Sequence, residues 1–194
     1  MERKRIIKEA AEAVKKGEGL SHKRAGARLS PGHVEHEFAP VFDAESKVLI
    51  LGSIPSPKSR EQGFYYGHPR NRFWSVLAAV FGEERPETIP EKKAFLHRHH
   101  IALWDVLASC TIRGASDASI ADAVPNDLEE LLKKTRVRSI FTTGGTASGL
   151  YRKYCFSKTG LLDIRLPSTS PANCAVTEEV LILAYGSVRE ALRT

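Results

Sequence analysis

Four short apolar runs punctuate the chain, separated by stretches in which apolar residues recur every three or four positions. Val48-Leu49-Ile50-Leu51 contains no polar position, the pattern of a strand covered on both faces. Ile101–Leu107, Val137–Thr142 and Leu161–Leu166 are three further strands. Between them Phe73, Val76, Leu77, Val80 and Phe81 share one helical face, and Gly82 stands where a C-cap belongs. Thr88 with Glu91 three residues on is a capping box, opening a helix to about His99. Asn126 caps a helix over Asp127–Thr135, Thr146 begins another through Tyr154, and Thr177–Leu192 is a last helix interrupted by Gly186. Strands alternating with helices predict an α/β fold, a three-layer α/β/α sandwich around a central four-stranded, mainly parallel sheet.

The first 38 residues differ from the rest. Arg3–Lys16 has helical composition, with Ile6, Ile7, Ala10, Ala11 and Val14 on one face, and Gly17–Gly32 is a polar, basic linker. The expected organisation is a basic extension over 1–38, helical or partly disordered, and one folded domain over 39–194. A solvated charge run explains the extension better than an arm that touches phosphate. Ser109–Ser119 (SCTIRGASDAS) reads as a polar, glycine-containing loop; Asp105, near the end of its strand, either faces a site or caps a turn, and the structural role is favoured.

Composition narrows the class. The 194 residues suffice for one sizeable core, and no window approaches the roughly 20 apolar residues of a membrane span. The charged N-terminus lacks the apolar segment of a signal peptide, so the expectation is a cytoplasmic monomer, nucleoid-associated if prokaryotic. The formal charge of +6 modestly favours a polyanionic partner. Cys110, Cys155 and Cys174 form no metal pattern and read as small buried hydrophobes; His97, His99 and His100 suit a helix C-terminus.

The densest chemistry follows the first strand. Gly52 ends the apolar run, Ser53-Ile54-Pro55-Ser56-Pro57 cannot continue a ladder, and a loop leads to Phe64-Tyr65-Tyr66-Gly67-His68-Pro69-Arg70-Asn71-Arg72. Open α/β sheets bind ligands beyond the carboxyl ends of their strands. Aromatic faces, two guanidinium groups, an imidazole and a carboxamide suit a flat polar ring attached to phosphate, and a nucleotide fits best. After the last strand, Pro167 and Pro171 fence a run of hydroxyls, Ser168-Thr169-Ser170, that ends in Ala172-Asn173.

GSIPS, GFYYGHPRNRFW and LPSTSPAN together resemble the active-site motifs of the uracil-DNA glycosylase superfamily, nearest to its hypoxanthine-DNA (deoxyinosine) glycosylase branch. WDVLASC and VPNDLEELL resemble further segments of that branch, and the likeness spans about residues 39–175. It implies a monofunctional enzyme that flips a deaminated base, chiefly hypoxanthine, out of DNA and hydrolyses its N-glycosidic bond to begin base-excision repair. No metal and no cofactor are implied, and the partner is double-stranded or single-stranded DNA. A broader uracil and xanthine glycosylase and a non-catalytic nucleic-acid-binding module are the alternatives.

Residue by residue, the resemblance makes Asn71 catalytic, through the match to HPxN, and Tyr66 the aromatic that stacks on the flipped base. A carboxamide cannot deprotonate water, but its carbonyl can orient one. Asn71 also has the position of a helix N-cap. His68 either donates to the leaving purine or fixes the loop. Gly52, Ser53 and Ile54 lie against the base, and Phe64 is either a base contact or core, as is Tyr65. Ile54 departs from the superfamily, which often has a water-positioning polar residue there, and Thr143 departs from the branch pattern TNG. Ser168, Thr169, Ser170, Pro171, Ala172 and Asn173 would meet the DNA, with Pro171 and Ala172 as a small wedge. Arg70 would contact phosphate; Arg72 would contact phosphate or form a buried structural pair.

Overall fold

Val48–Gly52 form β2, buried at every position because it is the inner strand between two parallel neighbours in a computed structural model of the chain. Residues 31–193 are described; the helix expected over Arg3–Lys16 and the linker up to residue 30 lie outside them. β3 (Ile101–Asp105), β2, β6 (Ser139–Thr143) and β7 (Asp163–Leu166) form a wholly parallel sheet in that order. Period-two alternation splits the apolar run of β2 between two cores. Val48 and Ile50 pack with Phe73, Trp74, Phe95, Leu181 and Tyr185 on one face. Leu49 and Leu51 pack with Leu128, Leu131, Ile140 and Tyr151 on the other.

The first face is covered by α2 (Phe73–Phe81), α3 (Ile89–Arg98) and α7 (Glu178–Ala191). The Thr88 capping box opens α3 as its spacing predicts, and α2 stops at Gly82, whose φ of 70° suits glycine. α7 runs without a break through Gly186: nothing lies within 4 Å of a Cβ there, and the helix is fixed by Leu181, Tyr185 and Val188 on its buried side. The second face carries α4 (Leu128–Lys133) and α5 (Gly145–Tyr154), with α6 (Phe156–Thr159) following α5. Asp127, not Asn126, caps α4 by accepting from Glu130 N; Asn126 instead donates to the Asp105 carbonyl at 2.9 Å.

Two expectations are corrected. Ser109–Ser119 is not a loop: β4 (Leu107–Arg113) and β5 (Ser116–Pro125) form an antiparallel hairpin with register shifts, and Cys110 and Ile112 anchor it in the second core. Its irregular pairing erased the regular alternation that reveals a strand in sequence. β1 (Gly32–Glu35), within the expected extension, pairs antiparallel with β4, and His36 N donates to Ala108 O. β1 is an exposed edge strand with little apolar signal. One short helix, α1 (Pro57–Gln62), stands where a loop was expected.

The register sets the carboxyl edge. Gly52 lies opposite Asp105, and Leu51 opposite Thr142, one residue before Thr143. Val106 N and Leu107 N continue the ladder to Gly52 O and Ser53 O, at 2.9 and 3.1 Å, before the chain turns into the hairpin. A Cβ on Gly52 would sit 2.2 Å from Asp105 Oδ1 and 3.3 Å from the Tyr66 hydroxyl. Gly52→Ala therefore forces a buried carboxylate aside, and we expect a loss of about 1–3 kcal/mol in urea unfolding; an unchanged midpoint would contradict this packing.

Asp163, buried at the start of β7, accepts from Thr142 Oγ1 and from Arg152 Nε, each at 2.6 Å. Burial opposes its charge, but hydrogen bonds from Thr142, Arg152 and Ser148 hold the carboxyl below the ordinary aspartate range. A depressed folded value gives stability that is present above the unfolded value of about 3.9 and is lost as pH falls through the folded one. Asp163→Asn should cost on the order of 2 kcal/mol at pH 7. In parallel urea titrations the gap between the two proteins should close as pH drops below about 4.

Candidate active site

Beyond the carboxyl ends of β2, β3 and β6 the chain encloses a cavity of about 420 Å³, the size of a small-molecule site. The loop after β2 contributes Gly52 to Ser56 and Ser59, and the loop after β7 contributes Ser168, Thr169, Ser170 and Ala172. The tip of the β4–β5 hairpin adds Ala115, Ser116 and Asp117. Tyr65, Tyr66, Asn71, Asp105 and Thr143 complete the wall. No group of three potential metal-ligating side chains occurs among the described residues.

The first loop is held from inside. Ser56 caps α1 by accepting from Ser59 N, Pro57 occupies the first turn, and Arg60 Nη1 grips the Pro55 carbonyl at 2.7 Å. Ser59 Oγ accepts from Gly67 N at 3.1 Å, joining both ends of the loop. Tyr66 then takes a left-handed backbone conformation with φ of 52°, unusual for a bulky side chain. One face of its ring stacks on Phe73 at 3.8 Å and 9°, so its remaining surface is what the cavity meets. Its hydroxyl is 3.0 Å from Thr143 Oγ1, which also donates to Leu51 O at 3.3 Å. Burial, and then the Asp105 charge, push this phenol well above its ordinary value and keep it neutral. Thr143, where the branch pattern has asparagine, thus supplies a polar contact from the strand end.

Asn71 faces the cavity and not the core. Its backbone N–H donates to His68 O at 2.8 Å, and its Oδ1 accepts from Phe73 N at 2.9 Å at the start of α2. This occupies one of the two carbonyl lone pairs and fixes the amide. Arg72, not Asn71, is the N-cap residue of α2, so the Asn71 amide is anchored one residue ahead of the helix while it lines the cavity.

The second loop is tied to the first by Arg72. Its backbone N–H donates to Thr169 O at 3.2 Å, while its guanidinium donates to Asn173 O at 2.8 Å and to Val176 O. Of the two roles open to Arg72 in sequence, the structural one is observed. Asn173 Nδ2 closes the loop on Ser168 O at 2.8 Å.

Not every expected residue reaches the cavity. Phe64 is core, 5% exposed and stacked on Trp74, because its side chain points under α2. His68 is not among the lining residues; its Nδ1 accepts from Arg70 N at 3.1 Å, so its ring fixes the turn. Thr169 lines the cavity but is 1% exposed and turned from the outer surface where DNA would lie. Pro171 and Asn173 lie outside the lining set, whereas Ala172 is exposed at the mouth. Arg70 is exposed, and its guanidinium has no partner among the described residues.

Asp117 and His36 were missed, and Asp105 was favoured as structural over facing a site. Asp117 lines the cavity and accepts from Ser53 Oγ at 2.9 Å. Burial of its carboxyl group and the nearby Asp105 charge raise it above the ordinary aspartate range, against the Ser53 hydrogen bond. Asp105 lines the cavity with its side chain 6% exposed, and His36 Nε2 meets its Oδ2 at 2.9 Å. Only the apolar setting of Asp105 in IALWDVL was visible in sequence; a His–Asp pair 69 residues apart left no local signal.

With this geometry in place, comparison with known proteins is informative. The sequence model of the uracil DNA glycosylase superfamily matches residues 39–185. A relative from Methanosarcina acetivorans named hypoxanthine DNA glycosylase is 34% identical over 144 residues, 72% of this chain and 89% of its own length. A relative of the same name from Methanosarcina barkeri is 34% identical over 115 residues, 59% of this chain and 73% of its own. A solution NMR structure of a candidate uracil DNA glycosylase from Methanosarcina acetivorans matches with a TM-score of 0.67 and 30% identity, covering 80% of this chain and 98% of that one. From the two loops and the sheet that aligns them to these matches, the chain belongs to the uracil DNA glycosylase superfamily.

Proposed function

We propose that this protein is a monofunctional DNA glycosylase that hydrolyses the N-glycosidic bond of deaminated bases, chiefly hypoxanthine, and so opens base-excision repair. Both relatives above carry the name hypoxanthine DNA glycosylase. The observation that carries the reading is that Asn71 and Tyr66 share one cavity with the Gly52–Ser56 and Ser168–Ala172 loops. An extruded purine lies against the Tyr66 ring within this cavity. Phe73 N–H fixes the Asn71 carboxamide, and its second carbonyl lone pair orients water below the sugar. Positioning and electrostatics supply the rate, because the deoxyribosyl cation accepts water readily once it forms. Exposed Arg70 and the half-buried hydroxyls of Ser168 and Ser170 contact the DNA backbone. Among the described residues no lysine lines the cavity, which supports hydrolysis over Schiff-base chemistry.

The direct test is release of free base from matched duplexes holding deoxyinosine, deoxyuridine or deoxyxanthosine, followed by chromatography. Hypoxanthine should be released fastest; uracil or xanthine ahead of it would replace the substrate, and tight binding without any release would leave a binding module. Asn71→Ala should slow single-turnover release roughly 10²-fold or more while the protein stays folded by circular dichroism. A variant as fast as wild type would remove Asn71 from the chemistry.

A further inference from the structure

The motif position that positions water in much of the superfamily is Ile54 here, 8% exposed and packed into the second core. The cavity nonetheless holds a buried carboxylate a strand away. Register puts Asp105 opposite Gly52, and its Oδ1 lies where a Gly52 Cβ would collide with it at 2.2 Å. Its two oxygens have different surroundings. Oδ2 meets His36 Nε2, whereas Oδ1 has no hydrogen-bond partner among the described residues and lies on the cavity wall.

His36 is set up to hold Asp105. Its Nδ1 accepts from Phe38 N at 3.2 Å, which places the proton of a neutral ring on Nε2, facing the carboxylate. The ring, 2% exposed as a side chain, packs among Phe38, Tyr65 and Trp104 at centroid distances of 5.6, 5.8 and 6.5 Å. Asn126 Nδ2 holds the Asp105 backbone carbonyl at 2.9 Å. A carboxylate this buried is costly unless it is used or fully paired, and here one oxygen is left for the cavity.

We infer that Asp105 is a catalytic residue, its free Oδ1 binding the attacking water and the developing sugar cation, and that His36 is the positioning residue that aims it. This rests on the glycosylase reading above. The water oxygen bonds to C1′ as the C1′–N9 bond breaks and its electron pair leaves with the purine. The surplus proton of the water passes to Asp105 Oδ1 and on to solvent, while a solvent proton neutralises the base. One water is consumed, and the products are hypoxanthine and an abasic deoxyribose. Asp105 thus takes on from the neighbouring strand the work that Ile54 cannot do.

The test is single-turnover release from whichever lesion duplex the wild type cleaves, paired with the affinity of each variant for a duplex containing a tetrahydrofuran abasic analogue. Asp105→Asn keeps the shape and should lower the rate about 10²–10⁴-fold with affinity changed less than about threefold. Asp105→Ala should be equally slow and regain at least about tenfold with added formate, which a purely structural carboxylate would not allow. His36→Gln, which can still donate to Oδ2, should keep most of the rate, and His36→Ala should lose about tenfold in kcat with KM unchanged. Should Asp105→Asn fail to fold, formate rescue and the His36 pair decide the matter. Wild-type rate in Asp105→Asn, or absence of both formate rescue and the His36 difference, overturns the inference while hypoxanthine release leaves the glycosylase reading standing. Release of uracil alone by wild type overturns the substrate and still lets these variants support Asp105; no release of any base overturns both.

Discussion

The in-register parallel pairing of β2 with β3 and β6 is the constraint on which the site depends. It fixes Gly52 opposite Asp105 and brings Thr143 alongside, so three residues from three strands end on one edge. A one-residue slip would turn every β2 side chain to the opposite face and unseat both cores. The burial of Val48 to Leu51 on alternate faces therefore stabilises the fold and aims the site at once. Glycine at position 52 is the steric condition for that edge, because the space its Cβ would take is held by a carboxylate oxygen.

The loops above this edge are held by hydrogen bonds, most of them between a side chain and the backbone. Arg72 begins where the first motif ends and donates three times to the segment after β7. Its planar fork suits carbonyl acceptors on separate turns. Ser59 and Arg60 do similar work within the first loop, and the Ser53–Asp117 bond draws in the hairpin. The left-handed Tyr66 is tolerated within this frame, with Phe73 and Thr143 fixing its ring and hydroxyl. The outcome is a cavity whose walls are set before any ligand arrives, as suits a reaction driven by positioning.

Legibility in the sequence followed the range of the physics. Val48–Leu51 is apolar throughout, so its double burial was plain, and the Thr88–Glu91 pair marked its helix start. Asn71 and Tyr66, which sit in a compact motif within one loop, both line the cavity. The alternatives left open for Phe64 and His68 could not be separated in sequence, because neighbours in that same motif diverge in direction, one into the core and one into the turn. The β4–β5 hairpin was lost because bulged pairing breaks the alternation by which strands are recognised.

The sequence by itself determined the layered α/β architecture, the two loops that carry chemistry and the family, since each depends on local periodicity or on motifs contiguous in the chain. Only the tertiary structure decided that Gly32–Glu35 pairs with β4, that Arg72 is a clamp, and that His36 meets Asp105 beside Gly52. Those outcomes depend on strand register and on contacts between segments 69 or more residues apart, and a one-dimensional pattern carries no distance across that span.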